Sequence, residues 1–113
     1  MLQEDVKQFI KLLEEGAQLL MPYEANLPRQ GCWSEKLRRL AAQLGTTSDQ
    51  DEIRRLIERE HRVLFGGMGS LNDLWIDPEN GHVVSNPRDA NRKLDEFRDR
   101  LYEAWQTCKR SGL

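Results

Sequence analysis

The stretch from Asn86 to Arg110 constrains the fold of this chain more than any other. Its apolar residues Ala90, Leu94, Phe97, Leu101, Ala104, Trp105 and Cys108 recur at four- and three-residue steps. At about 3.6 residues per turn, that spacing gathers them on one face of a helix. Asn86 can cap the helix, and Pro87 suits the first helical position, where its missing amide costs nothing. Asp89 in the first turn, and Lys109 with Arg110 in the last, carry the signs that the helix dipole favours. A helix with one apolar stripe must bury it against other elements, so the rest of the chain has to supply partners for it.

Three further stretches have this texture. From about Leu2 to Leu20 the stripe is Val6, Phe9, Ile10, Leu13, Ala17 and Leu20, and Pro22 and Pro28 bracket the loop that follows, Met21 to Gly31. A second helix is predicted from Cys32 or Trp33 to Leu44, with Trp33, Leu37, Leu40, Ala41 and Leu44 inside and Gly45 as its C-terminal cap. Thr46, Thr47 and Ser48 form a polar linker. A third helix then runs from about Asp49 to Leu64, started by Ser48 or Asp49. Its inner side is Ile53, Leu56, Ile57, Val63 and Leu64, with Glu60 as the one polar intruder. Asp51 with Arg55, and Glu58 with Arg62, are spaced to pair on its outer face.

After Phe65 the texture changes. Gly66-Gly67-Met68-Gly69-Ser70 stops the helix, and Asp77-Pro78-Glu79-Asn80-Gly81 is a strong turn signal. Short apolar runs flank that turn, so Leu74–Ile76 and His82–Val84 are predicted to pair as a small β-hairpin resting on the helices. The fold expected is mainly α: a four-helix, bundle-like single domain over residues 1–113, with a hairpin at about 74–84 before the last helix.

Charge and composition exclude several classes of function. The net charge is -2, and acids interleave with the basic residues of the second and last helices, so no nucleic-acid partner is expected. No apolar run approaches the ~18 residues of a membrane helix. The acidic start, Met1 to Asp5, lacks the basic and apolar regions of a secretory signal, and a cytoplasmic location is expected. Cys32 and Cys108 sit beside apolar stripes and read as reduced, partly buried thiols.

Candidate chemistry concentrates in one loop. Gly66-Gly67-Met68-Gly69-Ser70 matches neither phosphate-binding spacing, no strand precedes it and no lysine follows, so nucleotide binding is not expected. At least one of its glycines is expected at positive φ. Ser70, Asn72 and Asp73 can either bond orphan amides of the loop or contact a ligand. Cys32, His61, His82 and Cys108 contain no close pair of the kind zinc sites show, so no metal is expected. No catalytic set and no cofactor motif are present.

The segment Leu64-Phe65-Gly66-Gly67-Met68-Gly69-Ser70-Leu71-Asn72-Asp73-Leu74, followed by Pro87 to Trp105, resembles a family of small bacterial proteins of unknown function. Its mark is a Gly-Gly-Met-Gly-Ser-(aromatic or Leu)-Asn-Asp core and a later Asn followed by a Leu, positions that Asn91 and Leu94 fill. The resemblance spans roughly residues 60 to 105 and leaves the first 45 uncovered. It implies a bacterial origin, marks the loop and Asn91 for attention, and brings no activity. The binding candidates are therefore Gly67, Met68, Ser70, Asn72, Asp73 and Asn91. Small size, three tryptophans, many charges and no catalytic set point to a non-enzymatic protein-binding module. A bacterial immunity protein that neutralises a toxin, or an antitoxin-like inhibitor, would fit. The alternative is a small-molecule-binding or enzymatic domain using the Gly66–Asp73 loop.

Overall fold

A computed structural model describes residues 3–111 of the protein. Four helices dominate it: α1, Glu4–Leu20; α2, Trp33–Thr46; α3, Gln50–Phe65; and α4, Pro87–Arg110. Single turns of 3₁₀ helix at Met21–Glu24, Arg29–Gly31, Leu71–Asp73 and Pro78–Asn80 shape the connections. Helix α1 is central and packs along both α2 and α4. Its Val6, Phe9, Leu13 and Leu20 join Leu37 and Leu44 of α2, Ile57 and Leu64 of α3, and Leu94 and Leu101 of α4 in one core. Each stripe finds its complement there, which is what fixes the four helices on one another.

The caps follow the local chemistry. Asn86 Oδ1 accepts from the Asp89 amide at 3.1 Å, and Pro87 opens α4. Asp49 Oδ1 accepts from the Asp51 amide at 3.0 Å and starts α3. The end of α2 departs from expectation: Gly45 lies inside the helix, which continues to Thr46. The hydroxyls of Thr46 and Thr47 donate to the carbonyls of Ala42 (2.9 Å) and Gln43 (2.6 Å), satisfying helix-end acceptors that a left-handed glycine would otherwise serve. The predicted start of α1 at Leu2 lies outside the described residues.

Four side chains assigned to the apolar stripes sit further out, of which Ile10 and Ala104 are partly buried. Val63 is exposed, and Trp105 is half-buried while its neighbour Phe97 is buried. Trp105 Nε1 donates to the Ile57 carbonyl at 3.0 Å, so the indole ties α4 to α3 from the edge of the core. The outer ion pairs differ too. Asp51 pairs with Arg54 at 2.7 Å, and Glu58 reaches across to Lys109 at 2.6 Å.

The main correction is the hairpin. No strand occurs among the described residues, and the segments around the Asp77–Gly81 turn do not pair with each other. The turn itself forms: Asp77 caps it, and Gly81 takes φ 89°. Much of the backbone that a hairpin ladder would need is already engaged, above all on the first arm. Asn91 of α4 accepts from the Ile76 amide at 2.8 Å and donates to the Ile76 carbonyl at 2.8 Å. The Trp75 carbonyl accepts from Asn80 Nδ2 at 3.0 Å. Arg98 Nη1 lies within 2.9, 3.1 and 3.0 Å of the carbonyls of Leu71, Asn72 and Leu74. On the far arm, the Val83 amide donates to the Tyr23 carbonyl at 2.8 Å. Side chains of α4 thus substitute for a second strand, and every group they engage is lost to pairing.

Candidate functional site

Two loops face each other beside the helical core, and each is tied down from outside itself. The first runs from Glu24 to Trp33. Glu24 is buried at 6% exposure, and its carboxylate accepts from the Trp33 amide at 2.7 Å and the Ser34 amide at 3.2 Å. Those are the free donors at the start of α2, where an acid is favoured by the helix dipole. The residue in the capping position, Cys32, makes no side-chain cap bond; its thiol points at the Pro28 carbonyl, 3.3 Å away. The second loop, 66–82, hangs on Asn91 and Arg98 as described above. Gly81, at positive φ, brings the two together: a Cβ there would lie 2.8 Å from Leu27 Cδ2.

Between the loops lies a cleft of about 330 Å³, lined by Glu24, Leu27, Gly31, Trp33, Gly69, Ser70, Asp73, Leu74, Trp75, Asn80 and His82. Trp75 is 52% exposed on its wall, while Trp33 and His82 are buried at 7% and 8%. His82 Nδ1 lies 3.1 Å from the Asp77 amide and 3.3 Å from the Asp77 carbonyl, and the ring's tautomer decides which of the two it bonds.

The six candidate residues of the sequence do not converge on one point. Ser70 and Asp73 line the cleft. Gly67, Met68, Asn72 and Asp73, with Gly66, line a second depression of about 390 Å³, and Met68 is fully exposed. Asn91 is buried at 2%, and its amide bonds Ile76 and the Pro87 carbonyl. The loop also has internal bonds. Ser70 Oγ donates to the Gly66 carbonyl at 2.8 Å, the Gly69 amide donates to Asp73 Oδ2 at 3.0 Å, and Asn72 Nδ2 reaches the Phe65 carbonyl at 3.5 Å. Gly69 is the glycine of this loop at positive φ, 84°. Gly66 is held by crowding instead, since a Cβ would lie 2.4 Å from the Arg62 carbonyl, whereas one at Gly67 would meet nothing. Glu24, Trp33, Trp75, Asn80 and His82 were not legible as site residues in the sequence. The only local signal was a helix start at Cys32–Trp33 without a Ser, Thr, Asp or Asn in the capping position.

Both thiols are buried and unbridged. Burial raises Cys32 above its ordinary value, helped by the nearby charges of Glu24 and Glu35 and opposed by Arg29. Burial, with Asp5 adding to it, raises Cys108 from 9.0 to about 11. A thiol that holds its proton to higher pH when folded stabilises the fold below its unfolded value, and that contribution is lost as pH rises from 9 towards 11. Wild type is therefore expected to lose on the order of 2 kcal/mol more than Cys108→Ala between pH 8 and 11 in urea melts. Parallel losses in the two proteins would contradict this.

Among the described residues, no three His, Cys, Asp or Glu side chains are grouped to hold a metal ion, and no helix is long and apolar enough to cross a membrane. No curated protein and no solved structure matches the chain. One family does: the profile described as Domain of unknown function (DUF6966) matches residues 27–85. That stretch starts earlier than the motif resemblance and stops short of Asn91 and Leu94. It contains every residue lining the cleft except Glu24. With more than half of its length matched, the chain belongs to the DUF6966 family, a family of unknown function.

Proposed function

We propose that this chain is a non-catalytic protein-binding module whose cleft between residues 24–33 and 66–82 receives part of a partner protein. Trp75 carries this reading. It stands half-exposed on the wall of the cleft, whereas Trp33 is buried and Trp105 is partly buried against α3. An accessible tryptophan beside a polar recess is the usual anchor of a protein interface. The raised pKa values of both buried thiols speak against thiolate nucleophilic chemistry. A bacterial immunity protein or an antitoxin-like inhibitor is a protein of this kind, with a toxin as the partner.

A photo-crosslinking residue placed at Trp75, and separately at exposed Val63, tests the reading in the native cell. One discrete protein adduct at position 75, absent at position 63, is expected. Equal labelling at both positions, or none at 75, would overturn it. A second reading, a small-molecule site, rests on the cleft volume, which lies at the low end of the ~300–1,000 Å³ typical of ligand pockets.

A further inference from the structure

The walls of the cleft carry two carboxylates, Glu24 and Asp73, and no lysine or arginine. Several acids elsewhere stand beside basic partners: Glu4 with Lys7, Glu15 with Arg100, Asp51 with Arg54, Glu58 with Lys109, and Asp89 with Arg92 and Lys93. Among the described residues neither Glu24 nor Asp73 has a cation within ion-pair distance; their partners are backbone amides. The Gly69 amide engages one oxygen of Asp73 and leaves the other open. Among basic groups, Arg98 bonds the carbonyls of Asn72 and Leu74 on either side of Asp73, and Lys36 bears on Trp33. Its Nζ stands 4.5 Å from the Trp33 ring centroid without forming part of the cleft wall. The ring left for a ligand is that of Trp75.

Trp33 and His82, each more than nine-tenths buried, both line this cleft. Trp33 Nε1 and His82 Nε2 have no hydrogen-bond partner among the described residues, yet no fully buried side-chain nitrogen or oxygen is left unpaired. Both nitrogens therefore keep some accessible surface, in residues that line the cleft. Trp33 Nε1 is an N–H donor, and His82 Nε2 donates or accepts according to the ring's tautomer. The site thus offers a negative charge, an aromatic face and the indole donor of Trp33. An occupant that satisfies all of these carries a cation and, close to it, an acceptor.

We propose, building on the protein-binding reading above, that the cleft holds an arginine or lysine side chain of the partner protein. The cation lies against Asp73 and the Trp75 ring, and the adjoining peptide carbonyl accepts from Trp33. Aromatic faces attract cations, most strongly when the face is that of tryptophan. A carboxylate adds a charge-assisted bond. The peptide carbonyl serves the Trp33 donor, which a free polyamine, having only donors and charge, would leave unpaired.

The test is an NMR titration of the full chain with N-acetyl-arginine N-methylamide, its neutral citrulline analogue and spermidine. The arginine compound is expected to shift the Trp33 and Trp75 indole N–H signals with a Kd on the order of millimolar. The citrulline compound should bind at least about tenfold more weakly, because it keeps the shape and loses the charge. Spermidine should also bind more weakly. Asp73→Asn retains an acceptor for the Gly69 amide, so its melting temperature should hold while arginine binding falls about tenfold. Trp75→Ala, which truncates an exposed side chain, gives a second variant with the same expectation if Asp73→Asn fails to fold. Equal binding of arginine and citrulline, or undiminished binding by both variants, would overturn the cation site. Spermidine binding as tightly as the arginine compound would overturn the protein side chain as its source. A Trp75 crosslink to a partner without any arginine binding would sink this inference and leave the protein-binding reading standing. Arginine binding without a crosslink would do the reverse.

Discussion

Gly16→Val is expected to destabilise the protein by about 3 kcal/mol, the upper end of what overpacking a core costs. Glycine in the middle of α1 is a poor helix former, about 1 kcal/mol worse than alanine. The reason for it lies across the core. A Cβ at Gly16 would stand 2.1 Å from Phe97 Cζ and within 2.8 Å of both Cε atoms. Phe97 is itself buried at 4%, so its ring cannot turn away without parting α1 from α4. Gly16→Ala should cost less, since the gain in helix propensity offsets part of the clash. Phe97→Ala alone should cost about 3–5 kcal/mol through the cavity it leaves. The two changes share one space, so urea melts of Gly16→Val/Phe97→Ala should show a loss well below the sum of the single losses. Strict additivity would mean that Gly16 and Phe97 do not fill each other's space.

The same pair shows how far the sequence could be read. The stripe that placed Phe97 inward was visible because a helical period is a local property. That period located all four helices, and the caps at Asp49 and Asn86 were visible for the same reason. Gly16 was silent, because what it accommodates lies 81 positions away. The hairpin failed for a related reason. Leu74–Ile76 and His82–Val84 have strand-like residues around a genuine turn, and local preference favours pairing them. Asn91 and Arg98 decide otherwise from a helix whose own pattern gave no hint that two of its polar residues face the chain before it. Of the site, Ser70 and Asp73 were found because glycines flank them. Glu24, Trp33, Trp75 and His82 were missed because only the fold brings the two loops together, and in a short window a lone tryptophan or histidine reads as packing.

Asn91→Ala is the sharpest test of that long-range connection, with an expected loss of about 3–5 kcal/mol. The side chain is 98% buried from solvent, and its amide engages both backbone groups of Ile76, a residue with no exposed surface. Alanine would leave that amide and that carbonyl unpaired in the core, each at about 1–3 kcal/mol, and would free the Pro87 carbonyl as well. Asn91→Asp separates the contributions. It can still accept from the Ile76 amide, but it turns a carboxylate towards the carbonyls of Ile76 and Pro87, and it should be no less damaging. The loss should fall first on the segment from Leu71 to Val84, which no strand ladder holds. Hydrogen exchange at the Ile76 amide should therefore accelerate by more than exchange at the core amides of α1. Trp33 and Trp75 stand on opposite loops of the cleft, so cation binding should weaken along with stability. A stable Asn91→Ala protein with a protected Ile76 amide would show that the segment is held by something other than this clip. If that protein had also lost its partner, Asn91 would move from the framework to the binding surface.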